Sequence, residues 1–235
     1  MMRVQFATLF PETVLCAVRY SILARAEAKG VVTFSAVDPR GFATDAHKSV
    51  DDEPYGGGPG MVMKPDVWAA ALDSIKTERC AIVFPDPNGR IFRQSHALEL
   101  SAQNHLIFVC GHYEGFDERF VEAYATHRFS LGDFIVTGGE LAAALMADAI
   151  VRLIPGAVKE ESKDQDAFSD GLLTNPQYTR PEVWRGVRVP ADLLSGDHAR
   201  IRKWRRAWRL RATRERRPDL FSQAPLTSED LDLLK

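Results

Sequence analysis

The sequence predicts an α/β fold with a largely parallel sheet, followed by a smaller helical C-terminal domain. Three observations carry that expectation. Short β-branched apolar runs alternate with helical patterns between Arg3 and Val136. A polar stretch over 159–169, with Glu160, Glu161, Asp164 and Asp166 crowded together, interrupts the pattern and reads as a mobile linker. Beyond it, an arginine-rich segment over 200–217 carries helical periodicity.

Taken in order, strands are expected over 4–10, 31–37, 80–84, 106–110 and 129–131. Pro11 and Glu12 open a helix whose Val14, Leu15, Val18, Ile22 and Leu23 recur at helical spacing, and Gly30 suits its C-terminal cap. A mostly apolar, and therefore buried, helix is expected over 138–154, between Gly138-Gly139 and Pro155-Gly156. Arg152 in its last turn reads first as a complement to the helix dipole. In the arginine-rich segment, Ile201, Trp204 and Trp208 form an apolar stripe, the tryptophans reading as core anchors ahead of base-stacking platforms. The chain shows no internal repeat or low-complexity tract.

Composition narrows the function classes. At 235 residues and 45% hydrophobic content the chain can bury one large domain and a smaller one. No apolar run reaches the ~20 residues of a membrane span. The first ten residues lack a signal-peptide pattern, so a cytoplasmic protein is expected. Cys16, Cys80 and Cys110 are far apart and read as core thiols, and the six histidines show no metal-ligand spacing, so no protein-bound metal is expected. Ten of the 30 Lys and Arg lie in 200–217 against the single Glu215, although the formal net charge is −2. That asymmetry fits either a polyanionic partner or a solvated helix face.

Three glycine-containing loops follow expected strands: Pro85-Asp86-Pro87-Asn88-Gly89, Gly111-His112-Tyr113-Glu114-Gly115, and Leu131-Gly132-Asp133 leading to Thr137-Gly138-Gly139-Glu140. Ligands of open α/β sheets sit at the carboxyl ends of strands, so these loops are candidates for one pocket. A fourth, Tyr55-Gly56-Gly57-Gly58-Pro59-Gly60, lacks the Gly-Lys-Ser/Thr ending of a P-loop and fails the dinucleotide pattern. An ATPase or an ordinary dehydrogenase is disfavoured.

These residues resemble the bacterial tRNA (guanine-N1)-methyltransferases of the SPOUT superfamily. The likeness runs through Ser49-Val50-Asp51-Asp52-Glu53-Pro54-Tyr55-Gly56-Gly57-Gly58-Pro59-Gly60-Met61, Cys110-Gly111-His112-Tyr113-Glu114-Gly115-Phe116-Asp117-Glu118-Arg119, Gly138-Gly139-Glu140-Leu141 and Tyr178-Thr179-Arg180-Pro181-Glu182-Val183. The resemblance implies a SPOUT-type sheet with a deep trefoil knot over 1–158, a flexible linker over 159–175 and a helical tRNA-binding domain over 176–235. It also implies a homodimer whose active sites combine both subunits. S-adenosylmethionine would lie against Phe84, Pro85, Asp86, Pro87, Gly111, Tyr113, Glu114, Leu131, Gly132, Phe134, Val136, Gly138 and Gly139. Family members use Mg²⁺, yet no oxygen cage for it is visible in the sequence.

The implied reaction methylates N1 of the guanosine immediately 3′ of the anticodon, position 37. That nitrogen carries a proton, so transfer needs a base and a donor for charge gathering on O6. From the residues alone, Asp164, Asp166 and Asp170 are equal candidates beside a merely solvated acidic linker; the resemblance selects Asp166 as base and Arg152 as the O6 stabiliser. Two departures stand out: His112 replaces the arginine of the family's Gly-Arg-Tyr-Glu-Gly loop, and Thr174 stands where an acidic residue follows Leu-Leu. The competing readings are a knotted RNA methyltransferase with another acceptor, and an RNA-binding module without turnover.

Overall fold

A strand buried on both faces dictates the larger unit's layered architecture. In chain order the elements are β1 (Met2–Ala7), α1 (Pro11–Val18), α2 (Ser21–Ala28), β2 (Val32–Val37), a 3-10 turn (Pro39–Phe42), β3 (Asp51–Asp52), β4 (Val62–Met63), α3 (Pro65–Asp73), β5 (Ala81–Ile91), α4 (Gln94–Ser101), β6 (His105–Val109), α5 (Glu118–Tyr124), β7 (His127–Ser130) and α6 (Gly139–Val151). The computed structural model describes residues 1–158 and 167–235. Its contacts divide the chain into Met1–Lys159 and Glu160–Lys235.

The sheet runs β2-β1-β6-β5-β7, with every pairing parallel. All five residues of β6 are buried, as expected of a central strand covered on both sides. On one face, Val4, Phe6, Leu106, Phe108 and Val83 pack with α1, α2, α4 and α6; on the other, Ile82, Phe84, Ile107 and Val109 pack with Trp68, Phe120 and Val121. His105 is accommodated in this interior by Gln5 Oε1 at 2.8 Å and Thr77 Oγ1 at 2.9 Å, and burial lowers its pKa.

The expected α/β class and parallel sheet are observed, with local differences. The first helix is broken: Tyr20 is extended, Ser21 has φ +45°, and α2 starts anew. The corner is held by Arg19, which donates to the Phe34 carbonyl at 2.8 Å and to Glu27 at 3.1 Å, tying both helices to β2. Gly30 does close α2 in a Schellman arrangement, φ +69°, with Val31 N–H on Ala26 O and Gly30 N–H on Glu27 O. β1 ends at Ala7 instead of reaching Phe10; the Thr8 N–H still meets Val37 O at 3.0 Å, and its hydroxyl bonds a helix terminus described below. α6 is not buried all round: Leu141 and Leu145, four residues apart, are exposed. Of the three cysteines only Cys110 is a core thiol; Cys16 is exposed on α1 and Cys80 is half-buried.

β5 continues past Phe84 to Ile91 across a register shift, with Pro85 and Arg90 both aligned to Phe129. The expected loop over 85–89 is thus a bulge pinned at both flanks to β7. Gly89 is needed there, since a Cβ would lie 2.5 Å from the Arg128 and Phe129 backbone.

The second unit contains the hairpin β8 (Val183–Trp184) and β9 (Val187–Arg188), then α7 (Ala191–Leu194), α8 (His198–Arg216), α9 (Pro218–Phe221) and α10 (Ser228–Asp232). Asp197 caps α8 by accepting from the Ala199 and Arg200 amides. Among the described residues of this unit, Leu172, Leu210 and Ala212 are the buried apolar ones. Trp204 and Trp208 are only half-buried, so the expected core anchors lie at its margin: Trp204 meets Tyr178 edge-on and Arg216 lies over Trp208. Arg206 joins Asp230 and Asp170, and Arg209 joins Asp170 and the Leu173 carbonyl.

Asp230 is buried, and its hydrogen bonds from Arg206 hold its carboxyl far below the usual 3.8. A depressed folded-state pKa stabilises fully above the unfolded value and progressively less as pH falls toward the folded one. Denaturation of the isolated 167–235 segment or of the whole chain should therefore show α8 losing stability below about pH 4. Asp230→Asn should flatten that acid limb and lower stability at pH 7; an unchanged pH profile would remove Asp230 from the account.

Candidate active site

The loops meet at the carboxyl end of the sheet because α6 begins directly against the end of β6. Gly139 N–H donates to Gly111 O at 2.9 Å, and His112 and Gly138 form an isolated antiparallel bridge. A Cβ on Gly139 would lie 2.9 Å from Cys110 Cα and 3.1 Å from Gly111 N. One on Gly111 would lie 2.6 Å from the Phe116 ring, and one on Gly138 would strike the His112 imidazole. At Gly139 glycine is required by backbone approach, and at Gly111 and Gly138 by neighbouring rings, so the stretches 110–112 and 138–139 lie against each other.

The Tyr55–Gly60 loop is fastened to the same assembly. Glu114 N–H donates to Met61 O at 3.1 Å, Met63 N–H to Gly115 O at 2.8 Å, and Asp117 N–H to Met63 O at 3.2 Å. Gly60 lies so close to Glu114 that a Cβ would overlap its side chain. Tyr113, at φ +52°, is turned outward and is exposed, as are Glu114, Phe134, Ile135 and Val136; Leu131, Gly132 and Gly138 are half-buried. Exposed main chain and apolar side chains of this kind suit a flat heterocycle with a polar edge.

Some expected contact residues are held otherwise. Phe84 is buried, edge-on to Phe116 and Phe120, so the ligand side would see its backbone. The Asp86 carboxylate accepts from Arg128 Nη2 at 2.6 Å and Nε at 3.0 Å, while Asn88 N–H bonds its other oxygen at 2.7 Å. Arg128 also reaches Glu118 at 2.5 Å. Asp86 therefore braces the bulge from within. A concavity of about 400 Å³ beside it is lined by Asn88, Gly89, Arg90, Glu122, His127 and Arg128 and includes none of Gly111, Gly138 or Gly139.

Sequence reasoning missed the buried polar group behind the glycines. Glu140 Oε1 accepts from Thr8 Oγ1 at 2.5 Å, and His112 Nε2 lies 2.8 Å from Glu140 Oε2. Burial, and secondarily the Glu140 carboxylate, push the Cys110 thiol well above its usual range. An acidic residue in a first helical turn was the only signal available; nothing linked Thr8 to a residue 132 positions away.

Arg152 is the C-cap of α6 and is half-buried, with its N–H on Asp148 O at 3.1 Å. Burial raises the Asp148 carboxyl, and Arg152 opposes that shift. The 13 residues from Gly139 to Val151 span about 20 Å of helix. Arg152 and the glycine loops of one chain therefore lie at opposite ends of α6. Asp166 and Asp164 lie outside the described residues. Asp170 is engaged by Arg206 and Arg209. Among the described residues no group of three His, Cys, Asp or Glu could hold a metal ion, and no helix is long and apolar enough to cross a membrane.

The tRNA (guanine-1)-methyltransferase family model matches residues 2–223. This chain belongs to that family. Similar curated proteins include the tRNA (guanine-N(1)-)-methyltransferases of Macrococcus caseolyticus, 48% identical over 100% of this chain and 98% of the relative, and of Frankia alni, 48% identical over 99% and 90%. That of Nocardia farcinica is 47% identical over 97% of this chain and 100% of the relative. The family resemblance read from the motifs is borne out, and the family match spans both units.

The close approach at Gly139 yields a direct test. Gly139→Ala should cost about 1–3 kcal/mol through overpacking against the β6 backbone. An unchanged urea midpoint would show that α6 is not wedged there.

Proposed function

We propose that this chain transfers the methyl group of S-adenosylmethionine to N1 of the guanosine at position 37 of tRNA. The observation that carries the reading is the convergence of Gly111, Gly138 and Gly139 at the carboxyl end of a parallel sheet, in a chain matching the tRNA (guanine-1)-methyltransferase model over 2–223. The relatives' printed names specify guanine N1 and tRNA.

S-adenosylmethionine, when bound, supplies an activated sulfonium methyl. The loops' task is to orient it toward the guanine with N1, methyl carbon and sulfur in line. Asp166 is the proposed base, taking the N1 proton onto its carboxylate. Engagement of the Asp170 carboxylate by Arg206 and Arg209 supports choosing among the other linker aspartates. Arg152 is the proposed donor to O6, where negative charge gathers as N1–H is lost. The methylated guanine and S-adenosylhomocysteine leave with the proton accounted for at Asp166.

The separation of Arg152 from the glycine loops along α6 supports a homodimer with composite sites, one copy supplying the cleft and the other Arg152. The outward Leu141 and Leu145, with Phe134, Ile135 and Val136 exposed before them, supply apolar surface for such a contact. The knot is proposed from the chain path: β7 lies at the sheet edge beyond β5, yet the chain returns to bond the end of β6 at Gly111 and then enters α6. The base-bearing segment, placed at 159–175, would join the knotted domain to the helical domain over 176–235. α8 is proposed to hold the tRNA backbone through its outward cations, Arg202, Lys203, Arg205 and Arg214, all exposed. A Mg²⁺ requirement is implied by the family resemblance alone, since no group of three His, Cys, Asp or Glu among the described residues could hold the ion.

Asp166→Asn should nearly abolish methylation of a tRNA transcript while S-adenosylhomocysteine binding, followed by calorimetry, stays within about twofold. The transcript with guanosine immediately 3′ of the anticodon should be methylated at N1 and its counterpart without it left unmodified; equal methylation would overturn the acceptor assignment. Binding of tRNA should weaken steeply with salt, with a slope that Lys203→Ala and Arg205→Ala each reduce by about one contact. Salt-insensitive binding would remove α8 from the RNA interface.

A further inference from the structure

The Glu140–His112–Thr8 cluster has a role that the proposed chemistry leaves unassigned. Glu140 is the one buried carboxylate among the described residues of the larger unit, 5% exposed. A carboxylate in such a place is stable only with donors at both oxygens. Thr8 supplies one from the end of β1, and its own oxygen is fixed by accepting from Phe10 N–H at 2.9 Å. His112 supplies the other from the loop after β6. An ionised carboxylate only accepts, so His112 Nε2 carries a proton in this bond.

The three residues belong to segments that must stay in register for the cleft to exist: β1's end, the loop 111–115 and the first turn of α6. The imidazole fills the space that a Gly138 side chain would need, and the ring of Phe10 packs against it at 5.0 Å between centroids. His112 is thus held by a hydrogen bond on one side and by ring packing, while its backbone bridges Gly138. Through these contacts it fixes Gly111 and Gly138 relative to each other.

We propose that His112 is a positioning residue for the methyl donor, setting through Glu140 the separation of the two glycine loops that would grip it. The inference rests on the S-adenosylmethionine reading. It adds a residue at which this chain departs from the arginine of the resembling loop. A neutral imidazole suffices for the bond, so the link needs no second full charge in the interior.

The test combines calorimetry with S-adenosylhomocysteine and steady-state methylation of tRNA, using the full chain. His112→Ala should weaken S-adenosylhomocysteine binding about tenfold and raise the KM for S-adenosylmethionine by a similar factor, the worth of one charge-assisted hydrogen bond. At saturating donor, kcat and the KM for tRNA should stay within about twofold. His112→Gln, whose amide nitrogen extends about as far as Nε2, should restore donor affinity; His112→Asn, one methylene shorter, should not. The Gln and Asn pair keeps the test decisive if the alanine variant folds poorly. Wild-type affinity in the alanine variant, equal affinities for Gln and Asn, or a fall in kcat with donor KM unchanged would each overturn the positioning role. A wild-type chain that takes up no S-adenosylhomocysteine would instead overturn the donor reading beneath it.

Discussion

The side-chain-free contact between the start of α6 and the end of β6 governs the rest of the larger unit. Gly139 lies against the Cys110 and Gly111 backbone with no room for a Cβ, and its N–H is satisfied by Gly111 O. The contact sets where the loops after β5, β6 and β7 can meet. It also fixes the direction in which α6 leaves, carrying Arg152 about 20 Å away to the other end of the helix. That separation along the helix is the observation that supports proposing a site shared between two copies.

A second consequence concerns charge. Bringing the glycine loops together leaves Glu140 in the interior, where Thr8 and His112 partner its two oxygens. Asp86 is likewise satisfied internally by Arg128, and Asp170 by Arg206 and Arg209. Glu140, Asp86 and Asp170 thus each brace the frame of their own unit, and the proposal gives the proton to Asp166 instead. The arginines of α8 divide in the same way. Arg206 and Arg209 organise the helical unit, while Arg202, Lys203, Arg205 and Arg214 stay exposed.

Much of the frame was legible in the sequence because burial leaves a local pattern. The continuous apolar run of β6, the proline start of α1 and the glycine stop of α2 each encode their element within a few residues. The break at Ser21 was not legible, since Arg19 makes it through a bond to Phe34 on another strand. The reach of β5 to Ile91 was hidden by two prolines and a glycine that look like a strand end; pairing with Phe129 on both sides of the bulge keeps the strand going. In the candidate site, the glycine loops announced themselves by composition. Glu140, Thr8 and Arg128 did not, because their partners are distant in sequence and each looks like an ordinary surface polar residue.

The claim that two copies build each site can be tested by subunit complementation. A tagged, purified heterodimer would pair a chain whose cleft is blocked by Gly138→Val with a chain carrying Arg152→Ala, both homodimers being inactive. Composite sites leave one cleft and one Arg152 correctly matched across the pair, so methylation of tRNA should return to roughly half that of the wild-type dimer. A heterodimer as inactive as its parents would mean that cleft and arginine must belong to the same chain, contradicting the account.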